Sequence, residues 1–196
     1  MIQIPTPVPG LSFYENVIPD EHHDAFVAQL NAAFYELNQG HYDGFSFADD
    51  RAFDAVFYPL LQRLFHQMRL CGGVFRNKQA DKPLKLGCTL VGYEKKGYIP
   101  RHVDSWQLSG DTVVVFSFNS PCVIHFYQNQ PPHRHEQVFI PAKSMYVMQD
   151  EARYHWSHEI KANDNHFAGK RFTRRKRYSL LLFEPGTLYR EEIVNY

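Results

Sequence analysis

The sequence predicts an α+β protein that is mainly β, built as a sandwich or jelly roll with N-terminal helices packed on one face. Twelve Tyr and sixteen Phe favour a strand-rich core, because aromatic side chains suit a pleated, half-buried surface. Helical periodicity comes first, and short apolar segments separated by Gly, Pro, Asn or Asp follow it. The 196 residues suit a single domain, with a helical part over about 1–80 and a β core over about 84–190.

The N-terminal part is predicted to be an arm followed by two helices. Residues 1–10 are rich in Pro and Gly and predict an extended arm, and residues 38–50 predict a loop. Asp20 is predicted to be the N-cap of the first helix, since it follows Pro19 and precedes an apolar helical pattern. The second helix is predicted from a spacing of three and four residues between Phe57, Leu60, Leu61, Leu64, Phe65 and Met68.

The strands are predicted from segments rich in Val, Ile, Phe and Tyr. In chain order they are Leu86–Tyr93, Thr112–Phe118, Cys122–Gln128, Gln137–Ile140, Ser144–Met148, Arg153–Lys161 and Arg177–Phe183.

Charge and composition narrow the classes of protein. The net charge is zero and the pI about 7.2, which argues against nucleic-acid binding through bulk positive charge. The net charge of zero is the sum of two unequal parts. Residues 1–60 are acidic, with nine Asp and Glu against one Arg, and the rest of the chain is basic. No apolar run reaches the length of a membrane span. Three cysteines without a CxxC pair and a proline-broken start predict a protein without a secretory signal, in a reducing compartment, cytoplasmic or nuclear.

The first candidate site is an HxD motif. His102 and Asp104 lie two residues apart, so on a strand both side chains point to one face, and His158 follows on a later strand. Two histidines and one carboxylate form the ligand set of non-haem Fe(II) oxygenases, which leaves open positions for a cosubstrate and dioxygen. A surface histidine beside a solvated aspartate is the alternative, and the motif alone favours it, since the chain has eleven histidines.

Two more residues are singled out. Arg177 opens an apolar strand, where a buried guanidinium would need an anionic partner. The alternative is that it belongs to the preceding surface run Arg174-Arg175-Lys176. Tyr93 ends the strand before the HxD turn, and by itself it is more typical of a core tyrosine than of a ligand.

Taken together, these segments resemble the AlkB family of Fe(II)/2-oxoglutarate-dependent dioxygenases, and the likeness covers nearly the whole chain. The segment 93–104, which contains the HxD motif, is similar to the family's metal-binding segment. The segment Arg153-Tyr154-His155-Trp156-Ser157-His158 resembles the second metal-binding segment, in the form found in the tRNA-hydroxylase-like branch. Arg177-Tyr178-Ser179 resembles the start of the family's final strand.

The resemblance implies a double-stranded β-helix with Fe(II) bound by His102, Asp104 and His158. It implies that 2-oxoglutarate is the cosubstrate, used with dioxygen. The distal carboxylate of 2-oxoglutarate is expected to bind Arg177 and Tyr93, with Ser179 beside them. Arg153 is expected to steady the metal site from behind, through a carboxylate.

The chain departs from the family at two positions. The final strand usually carries a second arginine six residues after the first, and here that position is Phe183. The asparagine often found two residues before the tyrosine is Val91. Both replacements bear on how the cosubstrate binds. DNA-repair members place an acidic residue soon after the HxD motif, and this chain has Ser105-Trp106 there.

The expected reaction is oxidative demethylation or hydroxylation of a nucleobase in RNA or single-stranded nucleic acid. Trp106 and Tyr98 are predicted to stack on the unpaired base, and Arg174 and Arg175 to hold phosphates. The basic segment that contains Arg174 and Arg175 is equally well interpreted as a solvated hairpin loop. Two other functions stay open: a protein or small-molecule oxygenase of the same fold, and a catalytically silent jelly-roll binding module.

Overall fold

The computed structural model describes residues 2–33, 42–47 and 87–186. In chain order its elements are β1 (Ile2–Ile4), β2 (Leu11–Glu15), α1 (Asp20–Ala33), β3 (Tyr42–Phe47), β4 (Gly87–Tyr93), β5 (Ile99–His102), β6 (Ser109–Phe118), β7 (Cys122–Gln128), β8 (His135–Ile140), β9 (Ser144–Met148), α2 (Asp150–Tyr154), β10 (Trp156–Ile160), β11 (His166–Phe167), β12 (Lys170–Arg171) and β13 (Arg177–Pro185).

Two antiparallel sheets dominate the described residues. The major sheet has the order β1-β2-β9-β6-β13-β4-β3, the minor sheet has the order β5-β10-β7-β8, and β11 and β12 form a separate hairpin. One apolar core fills the space between the sheets, and a second lies on the other face of the major sheet, beneath α1. This arrangement is a jelly roll with a helix on one face, so the predicted fold class is confirmed.

Strand alternation decides which side chains reach the site. On β13, Tyr178 and Leu180 pack into the core beneath α1, whereas Arg177 and Ser179 point the other way, toward the minor sheet. Helix α1 is held there by Phe26 and Leu30, which are buried on one side of the helix, four residues apart. Each contributes about 1.5–3 kcal/mol through burial.

Several local predictions differ from the structure. The helix starts at Asp20, whose carboxylate binds Lys143, so Asp20 lies in the first turn instead of preceding it. The predicted loop 38–50 contains β3, which pairs with β4 at the edge of the major sheet despite the turn-forming residues Asp43 and Gly44. Strands β1, β2 and β3 thus come from the part predicted to be helical. The predicted second helix lies outside the described residues.

The predicted strand Arg153–Lys161 is divided in two. Its beginning belongs to the short helix α2, and only Trp156–Ile160 forms β10. Gly10 fits closely against the start of this helix: its φ is +79°, and a Cβ there would lie 2.2 Å from the Gln149 carbonyl oxygen. This packing positions α2, and with it Arg153, below the site. No helix among the described residues is both long enough and apolar enough to cross a lipid bilayer.

Candidate metal centre

The structure brings His102, Asp104 and His158 together at the edge of the minor sheet that β5 forms. His102 ends β5 and lies directly opposite His158 of β10 in the strand register, with ring centroids 4.4 Å apart. Asp104 Oδ1 lies 3.3 Å from His102 Nε2 and 3.8 Å from His158 Nε2. One ligand atom from each residue lies within 4.8 Å of the other two. This spacing suits a single divalent ion bound between them.

The protonation states of His158 and Asp104 in the metal-free protein favour metal binding. Burial lowers the pKa of His158 to about 4, so its imidazole is neutral at physiological pH. Burial alone would raise the pKa of Asp104, but the two histidines and Arg153 lower it to about 2. The His102 Nδ1 atom lies 2.8 Å from the Pro100 carbonyl oxygen, to which it donates, so Nε2 is left to face the metal.

One carboxylate oxygen of the site has no hydrogen-bond partner among the residues described. Asp104 Oδ2 is buried and accepts no hydrogen bond within the described part of the chain. A buried, ionised oxygen without a partner is costly unless a cation or a donor compensates it. The donor set and this unpaired oxygen therefore fit a resident divalent metal ion.

Arg153 holds the backbone of the site from behind. It is 1% exposed and donates hydrogen bonds to the carbonyl oxygens of Gly110 (2.9 Å), Asp104 (2.7 Å) and Ser109 (2.6 Å). The predicted position behind the metal site fits this structure, but the expected contact through a carboxylate is wrong, because the acceptors are backbone carbonyls. Asp104 lies beyond the end of β5, so these hydrogen bonds, and not strand alternation, fix its place.

Arg177 is a buried cation whose guanidinium nitrogens make no hydrogen bond of standard geometry to the described residues. It is 2% exposed, and none of its three guanidinium nitrogens has a hydrogen-bond acceptor among the residues described. Its guanidinium carbon lies 5.1 Å from the centroid of the Tyr93 ring. A buried guanidinium of this kind needs an anion, and a dicarboxylate that enters the space between the sheets would supply one. Its alternative interpretation as part of a surface run is therefore wrong.

Two tyrosines and a serine surround the guanidinium. Tyr93 lies opposite Arg177 in the register of β4 and β13, and burial raises its pKa to about 12. Ser179 is buried two residues further along the same face. Tyr146 of β9 was not predicted: it is buried, and its pKa is raised by burial although Arg177 opposes the rise. Its neighbours Met145, Val147 and Met148 are apolar and the whole strand is buried, so the sequence gives no signal for it.

The two departures from the family pattern are apolar in the structure. Val91 is 7% exposed and lies opposite Ser179 in the register of β4 and β13. The Phe183 ring lies over Gly87, where a Cβ would come within 2.1 Å of it. Both side chains belong to the apolar core between the sheets. The position of the second arginine is thus filled by a packed aromatic ring.

The four predicted substrate residues are not equivalent. Trp106 is 58% exposed and lies two residues after Asp104, beside the metal cluster in the chain. Tyr98 immediately precedes β5 and is half-buried, and Arg175 is exposed. Arg174 is buried, and its guanidinium donates to the carbonyl oxygens of Lys161 (2.8 Å) and Gly97 (2.6 Å). The prediction that Arg174 holds a phosphate is therefore wrong, because its donors bind the backbone.

Sequence comparison finds relatives but no matching family model. Over 102 residues the chain is 32% identical to the mouse "Alpha-ketoglutarate-dependent dioxygenase alkB homolog 7, mitochondrial", which covers 52% of this chain and 46% of that relative. Over 162 residues it is 26% identical to the mouse "tRNA (carboxymethyluridine(34)-5-O)-methyltransferase ALKBH8", covering 78% of this chain and 24% of the relative. The matched part is thus less than half the length of either relative.

Solved structures share the fold at low sequence identity. OsALKBH1 has a TM-score of 0.57 at 10% identity, with 93% of this chain and 100% of that chain covered. A prolyl hydroxylase from Trichoplax adhaerens, solved with a hypoxia inducible factor peptide fragment, has a TM-score of 0.60 at 12% identity, covering 95% and 87%. One relative is named as mitochondrial, and the expected cytoplasmic or nuclear location stays a prediction.

Proposed function

We propose that this chain is an Fe(II)/2-oxoglutarate-dependent dioxygenase of the AlkB family, and that it oxidises a C–H bond of its substrate with dioxygen and 2-oxoglutarate. The observation that carries this proposal is the cluster of His102, Asp104 and His158, whose ligand atoms lie within 4.8 Å of one another. When bound, Fe(II) and 2-oxoglutarate supply an oxidation coupled to the conversion of 2-oxoglutarate into succinate and CO₂.

The protein's own residues prepare the metal site. His102 presents Nε2, because its Nδ1 donates to the Pro100 carbonyl oxygen, and His158 is kept neutral by burial. Asp104 supplies the single negative charge. Arg153 fixes the peptide carbonyl of Asp104, so the carboxylate does not depend on a flexible loop for its place. No protein acid or base is needed, and the work of these residues is positioning.

Arg177 is proposed to hold the distal carboxylate of 2-oxoglutarate. It offers a planar fork of donors from the floor of the space between the sheets, which is lined by apolar side chains. Tyr93 lies opposite Arg177 in the strand register, and Ser179 lies two residues further along the same face of β13. We add Tyr146 to this pocket because its buried ring lies within electrostatic range of Arg177.

The proposed substrate is a methylated or hydroxylatable nucleobase in RNA or single-stranded nucleic acid. Support comes from Trp106, which projects into solvent two residues from a metal ligand and offers a flat face to an unpaired base. Arg175 is exposed and free to hold a phosphate. One relative carries tRNA in its name, which favours RNA over duplex DNA.

Oxidation of a protein side chain is the second candidate. One structure of the same fold was solved with a peptide, and the loss of Arg174 from the surface reduces the positive charge available for phosphates. A silent binding module is the third, since Phe183 fills the place of an arginine that other members use near the cosubstrate.

The test is anaerobic binding of Fe(II) and 2-oxoglutarate, followed by a succinate assay over methylated RNA, single-stranded DNA and peptides. The proposal expects succinate formation that is lost in His102→Ala and stimulated most by one RNA substrate. Stimulation by a peptide alone would establish the second candidate. Binding of both ligands with no succinate under any condition would establish the third.

A further inference from the structure

The two histidines of the metal centre lie on a strand pair whose backbone pairing is short. Strand β5 has four residues and forms the edge of the minor sheet, so β10 is its partner on one side only. The register between them joins His158 to His102 and then shifts before Ile160. A short, irregular edge pairing is a weak means of fixing two side chains to a fraction of an ångström.

A side-chain network on the outer surface of the sheet strengthens this pairing. Arg101 precedes His102 and Ser157 precedes His158, so both point away from the site. Arg101 Nε donates to Ser157 Oγ at 2.6 Å, which joins the two strands directly behind the two histidines. Ser157 is buried, and its hydroxyl donates in turn to Asn129 Oδ1 at 2.8 Å.

The guanidinium of Arg101 reaches the third strand as well. It lies over the Tyr127 ring of β7, with its central carbon 4.3 Å from the ring centroid. Tyr127 is itself fixed, because its hydroxyl donates to Glu159 Oε1 at 2.6 Å. Three strands of the minor sheet are therefore connected through one side chain, next in sequence to a metal ligand.

Arg174 makes a second connection on the other side of the register shift. Its two bonds reach Gly97, just before β5, and Lys161, just after β10. The irregular strand pair is thus held by a different arginine at each end, Arg101 at one and Arg174 at the other. Of these two connections, the one through Arg101 joins the residues directly next to the two histidines.

We propose that Arg101 is a positioning residue, which sets the separation of the two metal-binding histidines by holding β5 against β10. This inference rests on the proposed metal site. The inference predicts whether removing Arg101 strengthens or weakens metal binding. By charge alone, removing a cation near a divalent ion tightens metal binding, whereas losing a positioning contact weakens it.

The test measures Co(II) affinity and the Co(II) absorption spectrum in Arg101→Met, with thermal unfolding of the metal-free protein in parallel. We expect affinity to fall by about 10- to 100-fold, as for other groups that orient metal ligands, with an altered spectrum. Arg101→Lys keeps the charge but loses the planar donors, and restores little of the affinity. Lys96→Met is the matched control: it removes an exposed charge from the turn before β5 and leaves the affinity unchanged or slightly higher.

Ser157→Ala gives an independent result, because it removes the acceptor of Arg101 Nε without changing the charge and leaves only the longer bond to Asn129 Oδ1 at 3.4 Å. A weaker Co(II) affinity in this variant supports the proposal even where Arg101→Met does not fold. Unchanged affinity and spectrum in folded Arg101→Met or in Ser157→Ala would overturn it. Wild-type protein that binds no Co(II), or whose binding survives His102→Ala, would instead overturn the proposed function.

Discussion

Replacing Arg177 with Met should change the stability of the protein and its cosubstrate affinity in opposite directions. In the metal-free, ligand-free protein this guanidinium is 2% exposed and has no hydrogen-bond acceptor in the described residues. A buried charge without a partner costs several kcal/mol, and a well-packed apolar side chain of similar length removes that cost. We expect the free energy of unfolding to rise by about 1–4 kcal/mol.

The same change removes the proposed carboxylate partner. Two charge-assisted hydrogen bonds contribute about 1.5–3 kcal/mol each, and every 1.4 kcal/mol is a tenfold change in affinity. The dissociation constant of 2-oxoglutarate should therefore rise by about two to four orders of magnitude. The ligand should also no longer stabilise the protein against unfolding.

Urea unfolding of the metal-free protein measures the first quantity, and calorimetric titration of 2-oxoglutarate with Mn(II) bound measures the second. Lys96→Met is the control for charge removal at an exposed position, where we expect a change within about 0.5 kcal/mol. A variant Arg177→Met that is less stable than the wild type and binds 2-oxoglutarate as tightly would refute the reasoning. It would mean that the guanidinium has a partner within the protein and no role toward the ligand.

The other predictions concern the rest of the site. Arg153→Met leaves several buried carbonyl oxygens without donors, at about 1–3 kcal/mol each, so urea unfolding should show a loss of at least about 3 kcal/mol and Co(II) binding should weaken. Phe183→Arg should lower the KM for 2-oxoglutarate in the succinate assay, and an unchanged KM would mean that the ring lies away from the cosubstrate. The pKa of His102 is raised above its usual 6.5: burial lowers it, but Asp104 and the Pro100 carbonyl oxygen outweigh that effect. Protons therefore compete with metal at this residue, and Co(II) affinity should fall as the pH drops through and below this raised pKa; a flat profile down to pH about 5 would contradict this.

Much of the metal site could be predicted from the sequence, because its residues occur in short segments with fixed spacing. The HxD motif and the later histidine name three side chains, and the structure brings all three together. Their local geometry could not be predicted in the same way. Asp104 was expected on a strand, yet it follows the end of β5 and depends on hydrogen bonds from a residue 49 positions away. Contacts between residues so far apart in the chain produce no motif of fixed spacing in the sequence.

The proposed cosubstrate pocket includes residues that the sequence singles out and one that it does not. Arg177 and Tyr93 stand at the ends of apolar strands, where a polar residue is conspicuous. Tyr146 lies between Met145 and Val147 in a fully buried strand and is indistinguishable from a core residue until the register of β9 and β6 places it. The edge strand β3 was missed because Asp43 and Gly44 are typical of turns, and pairing with β4 outweighs that local preference.

The buried arginines show which physical quantity separates a structural cation from a ligand-binding one. Arg153, Arg174 and Arg177 are 1%, 6% and 2% exposed, so burial does not distinguish them. Their donors do. Arg153 and Arg174 donate to backbone carbonyl oxygens, so their cost of desolvation is offset within the protein, whereas Arg177 has no acceptor in the residues described. No described residue accepts a hydrogen bond from the Arg177 guanidinium, and the proposed function explains this burial by an anionic ligand, the distal carboxylate of 2-oxoglutarate. The basic character of the second part of the chain is therefore in part internal, and it does not by itself argue for a polyanionic substrate.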